Sequence, residues 1–426
     1  MISNWLRLCL GILAAGAVPA QQTGQVLTLA DCWKLAEAEF SLAERARLDA
    51  RSAGELVRQA RAGFLPQVAY ENAFTYNSPL LHDRSTFSFV ALNAIREYVS
   101  QPTLTEEVDL SGRLRATLAR GRAEAGIAQA RASITRRDLR LAVREAYYAT
   151  LEARHNVEAA QRNVEEAEAF ARRTRLMAEQ GEAARADVVK AEVQLAARRR
   201  TLYAAQTTAR NAGLLLKSFW SADLAAPPEI EDSFLQAPTE QDYLGWEAAW
   251  ISRRSEFSLL TAAEQAARAE ARLARSERRP SFNIVYAYGI DSERVRIRDR
   301  GQAVFANLRI PLFDWNRSRS RELQANLARR QVEIDQQIAR RVFTGQFYSE
   351  RNNVELAVKQ MAEGKRETEL ARESLRLARL RYDAGETTAL EVVEAQNTAA
   401  AADVAYNQAV FNYHMSRARL EVAIGQ

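Results

Sequence analysis

Two glutamates, Glu391 and Glu394, stand three positions apart in a stretch that reads as the start of a helix, so their carboxylates share one helix face. Acids grouped this way attract cations and repel anions. A third acid, Asp187, opens another helix, and the phenol of Tyr382 precedes the turn that leads to Glu391. Each has a plainer alternative. Thr388-Ala389-Leu390-Glu391 is a capping box, in which the glutamate caps its own helix. Asp187 is a first-turn acid favoured by the helix dipole, and Glu394 fits a solvated surface. Little else suggests chemistry. His82, His155 and His414 are far apart in sequence, and Met177, Met361 and Met415 do not cluster, so no metal site is visible. No nucleophile–base pair or metal-spaced cluster appears, which argues against an enzyme and calls for no cofactor.

The elements that position these acids are written twice. From Arg175 the chain reads RLMAEQGEAARADVVKAEV, and 204 positions later, from Arg379, it reads RLRYDAGETTALEVVEAQN. The shared skeleton places Gly181 opposite Gly385 and Asp187 opposite Glu391. Each glycine permits the positive φ that ends one helix and turns into the next. The same offset pairs Ser111-Gly112-Arg113 with Trp315-Asn316-Arg317, and a slightly different one pairs Phe64-Leu65-Pro66-Gln67 with Arg278-Arg279-Pro280-Ser281. A repeat this long is not a solenoid unit of roughly 20–50 residues. One half-molecule was built and repeated, so the halves should play equivalent parts around an axis.

Composition agrees with long helices. The 426 residues are 27% charged, with few Gly and Pro, and only five of the 59 basic residues are Lys. Chains rich in Ala, Glu, Arg and Leu form extended helices or coiled coils. Arg interleaved with Glu at helical spacing makes a solvated face, so the net charge of +5 does not indicate a nucleic-acid partner. Residues 1–20 read as an export signal: Arg7, then apolar Leu8 to Val18, then small residues ending at Ala20. Its removal takes Cys9 and leaves Cys32 as the single cysteine, so packing rather than a disulfide holds the exported chain. Neither cysteine sits in a lipobox.

Each half has one layout. The first, 21–217, has a helix from about Leu29 to Ala62, a strand-rich hairpin over 64–110, a long helix from about Gly112 to Glu179, a turn at Gly181 and a return helix from about Asp187 to Lys217. A proline-bearing linker, 218–242, leads to the second half, 243–426. That half has a helix from about Tyr243 to Glu277, a hairpin over 280–313, a long helix to about Asp383, a turn at Gly385 and a return helix to Val422. About 68 residues without proline give a helix of roughly 100 Å. Its apolar seam (Leu139, Val143, Ala146, Thr150, Ala153, Val157, Ala160, Val164, Ala167, Ala171) follows a coiled-coil heptad.

The strand stretches alternate. Val68, Tyr70, Phe74 and Tyr76 share one face, as do Phe282, Ile284, Tyr286 and Tyr288, and Val304, Ala306, Leu308, Ile310 and Leu312. Aromatic-rich strands of about ten residues fit a membrane barrel, although an ordinary sheet with one buried face gives the same period. No segment reaches the 18 or so apolar residues of a membrane-spanning helix. A crossing must therefore be a closed barrel. Four strands cannot close one, since membrane barrels start near eight strands, so the chain must oligomerise.

The paired turns, the strand-ending Ile310-Pro311-Leu312-Phe313-Asp314 followed by Asn316-Arg317, and the closing stretch Tyr413 to Gly425 resemble the outer-membrane efflux protein family, the TolC-type tunnels. The resemblance runs from Leu27 to Gly425. It implies a mainly α fold with a small membrane β-barrel part: a homotrimer in which three chains form a trimeric α-barrel and a 12-stranded β-barrel. It places the protein in the outer membrane of a Gram-negative-type bacterium, in contact with outer-membrane lipid, with a periplasmic helical tunnel. Its partners would be a periplasmic adaptor protein and an inner-membrane pump, and substrates would pass outward without chemical change. The resemblance carries acidic aperture positions onto Glu391 and Glu394, a tip latch onto Tyr382 and Asp187, and adaptor docking onto the tip turns at Gly181 and Gly385. An arginine that the family places just past the second turn is Thr387 here. The competing reading is a periplasmic coiled-coil scaffold or adhesin with no channel, whose strands would lie buried in a small sheet.

Overall fold

A computed structural model describes residues 26–76, 96–236 and 245–425. The export-signal reading with Cys9, the hairpin residues 77–95 with His82, and the linker residues 237–242 lie outside the described residues.

Among the described residues, seven α-helices and four strands follow the doubled order. They are α1 Leu29–Ala36, α2 Leu42–Ala62, β1 Gln67–Tyr76, β2 Arg96–Val108, α3 Arg113–Glu179 and α4 Arg185–Lys217. Then come α5 Ser255–Ser276, β3 Ser281–Ser292, β4 Arg300–Arg309, α6 Arg317–Asp383 and α7 Ala389–Ala423. The long helices α3 and α6 both have 67 residues. Both start from a left-handed residue, Gly112 at φ 80° and Asn316 at φ 62°. Every seam residue from Leu139 to Ala171 is buried except half-buried Val157.

Three boundaries differ from the sequence reading. The first helix is broken in two at Phe40, whose φ is +64°. Ser41 then caps α2, its hydroxyl accepting from the Glu44 amide at 3.0 Å, and that local bond outcompetes helix continuity. Of the helix expected from Tyr243 to Glu277, the described residues form a short 3-10 turn, Ala248–Arg253, and then α5. The last strand ends at Arg309 rather than Leu312, because Pro311 offers no N–H to a ladder.

The strands form one antiparallel sheet in the order β1-β2-β3-β4. Pairing Val68 with Leu104, Leu104 with Tyr286 and Tyr286 with Val304 lines apolar residues across one face. The opposite face carries Glu71, Gln101, Asn283 and Asn307. The apolar face is uncovered: Val68, Tyr70, Phe74 and Tyr76 are all exposed, as are Val304 and Leu308. Both edge strands are open among the described residues.

The linker is not slack where it is described. Ile230 and Phe234 are buried against Cys32, Val143, Tyr147, Leu151 and Val410. The Tyr147 hydroxyl donates to the Glu231 carbonyl at 2.7 Å, and Arg154 donates to the Pro228 carbonyl at 2.7 Å. Burial pushes the Cys32 thiol up to about 12, so it stays a thiol and packs as a small apolar group.

One ion cluster joins the two halves. Glu256 of α5 accepts from Arg137 of α3 at 2.9 and 3.0 Å and from Arg254 at 2.8 Å. Burial alone would raise this carboxyl, but the hydrogen bonds and charges of Arg254 and Arg137 hold it at about 2. The folded value lies below the ordinary 4.5. The stabilisation is therefore complete above about 4.5 and disappears as pH falls toward 2. Glu256→Gln is expected to cost about 2 kcal/mol at pH 7 and to flatten the acid limb of a pH series of chemical denaturation.

Candidate functional site at the helical tip

The two turns at the end of the molecule away from the sheet are built alike. After α3, the Gly181 amide donates to the Ala178 carbonyl at 3.1 Å and the Glu182 amide to the Met177 carbonyl at 2.8 Å. After α6, the Gly385 amide donates to the Tyr382 carbonyl at 3.0 Å and the Glu386 amide to the Arg381 carbonyl at 2.9 Å. These are the paired bonds of a Schellman ending, which requires a left-handed residue. Gly181 at φ 80° and Gly385 at φ 73° supply it. Both glycines are exposed with open space where a side chain would go, so the backbone angle, not crowding, demands glycine.

The two helix hairpins meet below the turns in one core. Phe170, Ala171 and Met177 of α3, Ala191 of α4, and Tyr382, Ala389, Val392 and Ala395 of α6 and α7 are buried together. Alanine at so many of these positions lets the helices approach closely.

Glu391 and Glu394 are not equivalent. Glu391 accepts from Arg381 at 2.6 Å and from the Thr387 hydroxyl. Its backbone amide goes to the Thr388 carbonyl, and Thr388 makes no side-chain cap. The capping box written in the sequence is therefore not formed, because a cation and a hydroxyl on the preceding turn outbid the local cap. Glu394 is exposed and pairs with no cation among the described residues. The pair thus presents one charge offset by Arg381 and one left free.

Asp187 lies in the first turn of α4 with Lys190 at 3.8 Å. Tyr382 is buried, its ring edge-on to Phe170 at 5.2 Å, and its hydroxyl has no hydrogen-bond partner among the described residues. The chain alone does not join Tyr382 to Asp187. A buried hydroxyl without a partner loses roughly 1–3 kcal/mol. Tyr382→Phe should therefore leave the thermal midpoint unchanged or raise stability by about 1 kcal/mol. A clear drop in melting temperature would show that the hydroxyl finds a partner when chains assemble.

Sequence spacing also hid that two histidines converge on Phe234. His155 stacks on Phe234 at 4.9 Å and holds Asp232 at 3.0 Å, while His414 stacks on Tyr148 at 4.0 Å and reaches the Phe234 carbonyl at 2.9 Å. Burial depresses the His414 pKa below 6.5, which keeps the ring neutral. Both rings clasp the linker. No group of three or more His, Cys, Asp or Glu suited to a metal occurs among the described residues. No helix there is long and apolar enough to cross a membrane.

The family follows from comparison. The sequence profile of the outer membrane efflux proteins matches residues 36–220 and 250–426. The chain belongs to the outer membrane efflux protein family. Three solved structures show how far the fold extends. The Campylobacter jejuni CmeC outer membrane channel superposes with a TM-score of 0.83 at 17% identity, over 93% of this chain and 85% of that one. The Vibrio cholerae outer membrane protein VceC gives 0.80 at 15%, over 93% and 96%. The open state of the Neisseria gonorrhoeae MtrE outer membrane channel gives 0.77 at 18%, over 93% and 88%. No curated protein matches the chain by sequence. Membership makes the protein an outer-membrane channel component with a periplasmic helical part, and not an enzyme. Channels of this family are homotrimers that work with adaptor and inner-membrane pump partners.

Proposed function

We propose that three copies of this chain close a twelve-stranded barrel in the outer membrane and a helical tunnel beneath it, forming the exit duct of a tripartite efflux or secretion system. The observation that carries this reading is the uncovered sheet. An apolar face with β1 exposed along its whole length, flanked by two open edges, has no place in a finished water-soluble fold. Three such sheets joined edge to edge satisfy both demands, with lipid on the apolar face and water on the face carrying Glu71 and Asn283. A scaffold or adhesin without a channel would bury that face, and among the described residues nothing covers it.

In this reading the tip around Gly181 and Gly385 is the end that meets the periplasmic adaptor, and the inner-membrane pump supplies substrate there. Glu391 and Glu394 of three copies converge on the axis as the aperture. Tyr382 and Asp187 form the closing latch only in the assembled state, which agrees with the free hydroxyl of Tyr382 and the loose hold on Asp187. Passage is passive in this reading, with the inner-membrane pump supplying the energy. Detergent-extracted trimers fused to a planar bilayer should give discrete cation-selective openings; folded trimers that never conduct would sink the reading.

A further inference from the structure

We infer that the chain encodes two different seams: a small-residue, ion-paired seam between its own halves, and a leucine- and isoleucine-rich seam reserved for the next copy. The surface assigned to the next copy is the exposed stripe Leu323, Leu327, Ile334 and Ile338 on α6 together with Trp315, and its occupant is α2 of a second copy, through Leu42, Leu48 and Leu56, with Leu65 just past its end. This inference rests on the three-chain reading above and adds which residues hold the copies together.

The argument starts from the duplication. Helices α3 and α6 correspond at an offset of 204 with both ends aligned, and α2 and α5 correspond at 214, Leu42 with Glu256 and Ala62 with Ser276. Within the chain, α5 lies between α3 and α6, whereas α2 packs on α3 and buries none of its residues fully. No helix among the described residues sits on the free side of α6 as α5 sits on α3. The strands repeat the pattern, since β2 pairs with β3 while β4 and β1 end open.

Four contacts of the internal seam translate directly. Gly126 brings its α-carbon so near α5 that a β-carbon there would lie 3.2 Å from that of Ala262; the equivalent pair is Arg330 and Leu48. The ion pair Arg120–Glu270, at 3.1 Å, becomes Gln324 and Leu56. The pair Arg137–Glu256 becomes Arg341 and Leu42. The bond from Arg279 to the Ser111 carbonyl, at 3.3 Å, becomes Leu65 and Trp315. The stripe beneath changes in the same sense. Ala119, Ala123, Ala130 and Ile134 of α3, partly or fully buried, become Leu323, Leu327, Ile334 and Ile338 of α6, all exposed.

The chemistry explains the difference. Halves joined by a linker meet at high effective concentration, so their seam needs little apolar area and spends its surface on specific ion pairs. Separate chains must offset the loss of translational freedom, and buried leucine and isoleucine supply that. The code also rejects errors. Seating α5 on the leucine stripe would set Glu270 against Gln324 instead of a cation, and seating α2 on the internal seam would replace the acids that Arg120 and Arg137 meet across it with Leu56 and Leu42. Halves therefore alternate around the ring.

Cross-linking tests this. Cys32 is buried, so with Cys9→Ser in the background a Leu48→Cys plus Arg330→Cys chain offers only the engineered thiols to a short bismaleimide. Light scattering of the detergent-extracted protein reports the number of copies independently. Covalent trimers from the double variant, with none from either single variant, are the expected result. Particles of three copies that do not cross-link would overturn the seam while leaving the trimer intact; particles of one copy would overturn both. Leu327→Glu plus Ile334→Glu should abolish the trimer peak while circular dichroism keeps its helical signal, because both positions are exposed in the single chain. A trimer that survives the two charges overturns the assignment.

Discussion

Gly289→Val should eliminate assembled channel from the membrane fraction, while Gly301→Ala, at the residue paired directly with Gly289, should assemble normally. Gly289 lies in β3 beside Gln101 and Pro102 of β2, between the pairs Ser100–Ile290 and Thr103–Ala287. A β-carbon added at Gly289 would come within 2.3 Å of the Ser100 carbonyl oxygen, 2.6 Å of the Gln101 β-carbon and 2.7 Å of its α-carbon. Facing β-carbons in an antiparallel pair normally stand about 4.5–5.5 Å apart, so β2 would have to retreat by roughly 2 Å. Two of the three obstructing atoms belong to the backbone and cannot rotate away. Among the described residues the β2–β3 ladder is the only sheet pairing that joins the two halves, so tearing it separates the two hairpins that the proposed barrel needs side by side. Gly301 has nothing within 4 Å of the same added atom. The yield of heat-resistant oligomer on a gel, compared between the two variants, reads the difference. Equal yields would mean that the close approach of the strands is not needed for assembly.

What the sequence made legible was whatever repeats at short range. The Schellman turns were readable because one glycine in a fixed place ends each long helix, and the α3 seam because alanine and valine recur every three or four residues. Strand faces were readable from period two. Contacts distant in sequence were not. Phe234 and His414 are 180 positions apart and meet only because α3 and α7 run side by side beneath the linker. Nothing in a proline-rich stretch announces that Ile230 and Phe234 will be buried, although two large apolar residues among polar ones were a signal of docking. The capping box at Thr388 failed for a related reason. A local motif states what a helix start can do alone, and Arg381, ten positions back across the turn, offered Glu391 a charged partner instead.

That partner leads to the other large effect. Glu394→Gln should reduce cation selectivity of the assembled channel at least several-fold, and more than Glu391→Gln combined with Arg381→Gln, even though the latter changes twice as many residues. At the tip each chain contributes Glu391, held at 2.6 Å by Arg381, and Glu394, which no cation offsets among the described residues. An exposed ion pair stabilises the tip by less than about 1 kcal/mol, yet to a passing ion it is nearly neutral, so deleting both members removes little field. Deleting Glu394 removes three unopposed charges from a trimer. Potentials in a narrow, water-filled constriction respond strongly to such a ring. Glu391→Gln alone leaves Arg381 uncompensated and so lowers selectivity too, and Glu391→Ala plus Glu394→Ala leaves three arginines facing the pore and should invert the preference toward anions. Reversal potentials in a salt gradient order these four variants. If Glu394→Gln left the reversal potential unmoved while Glu391→Gln shifted it, the free carboxylate would not line the pore, and the ion-paired one would carry the selectivity. The 204-residue copy supports the first order. Asp187 is followed by Lys190, its own cation at 3.8 Å, whereas Glu391 is followed by Glu394, so the two helix starts diverged where a free negative charge appears in only one.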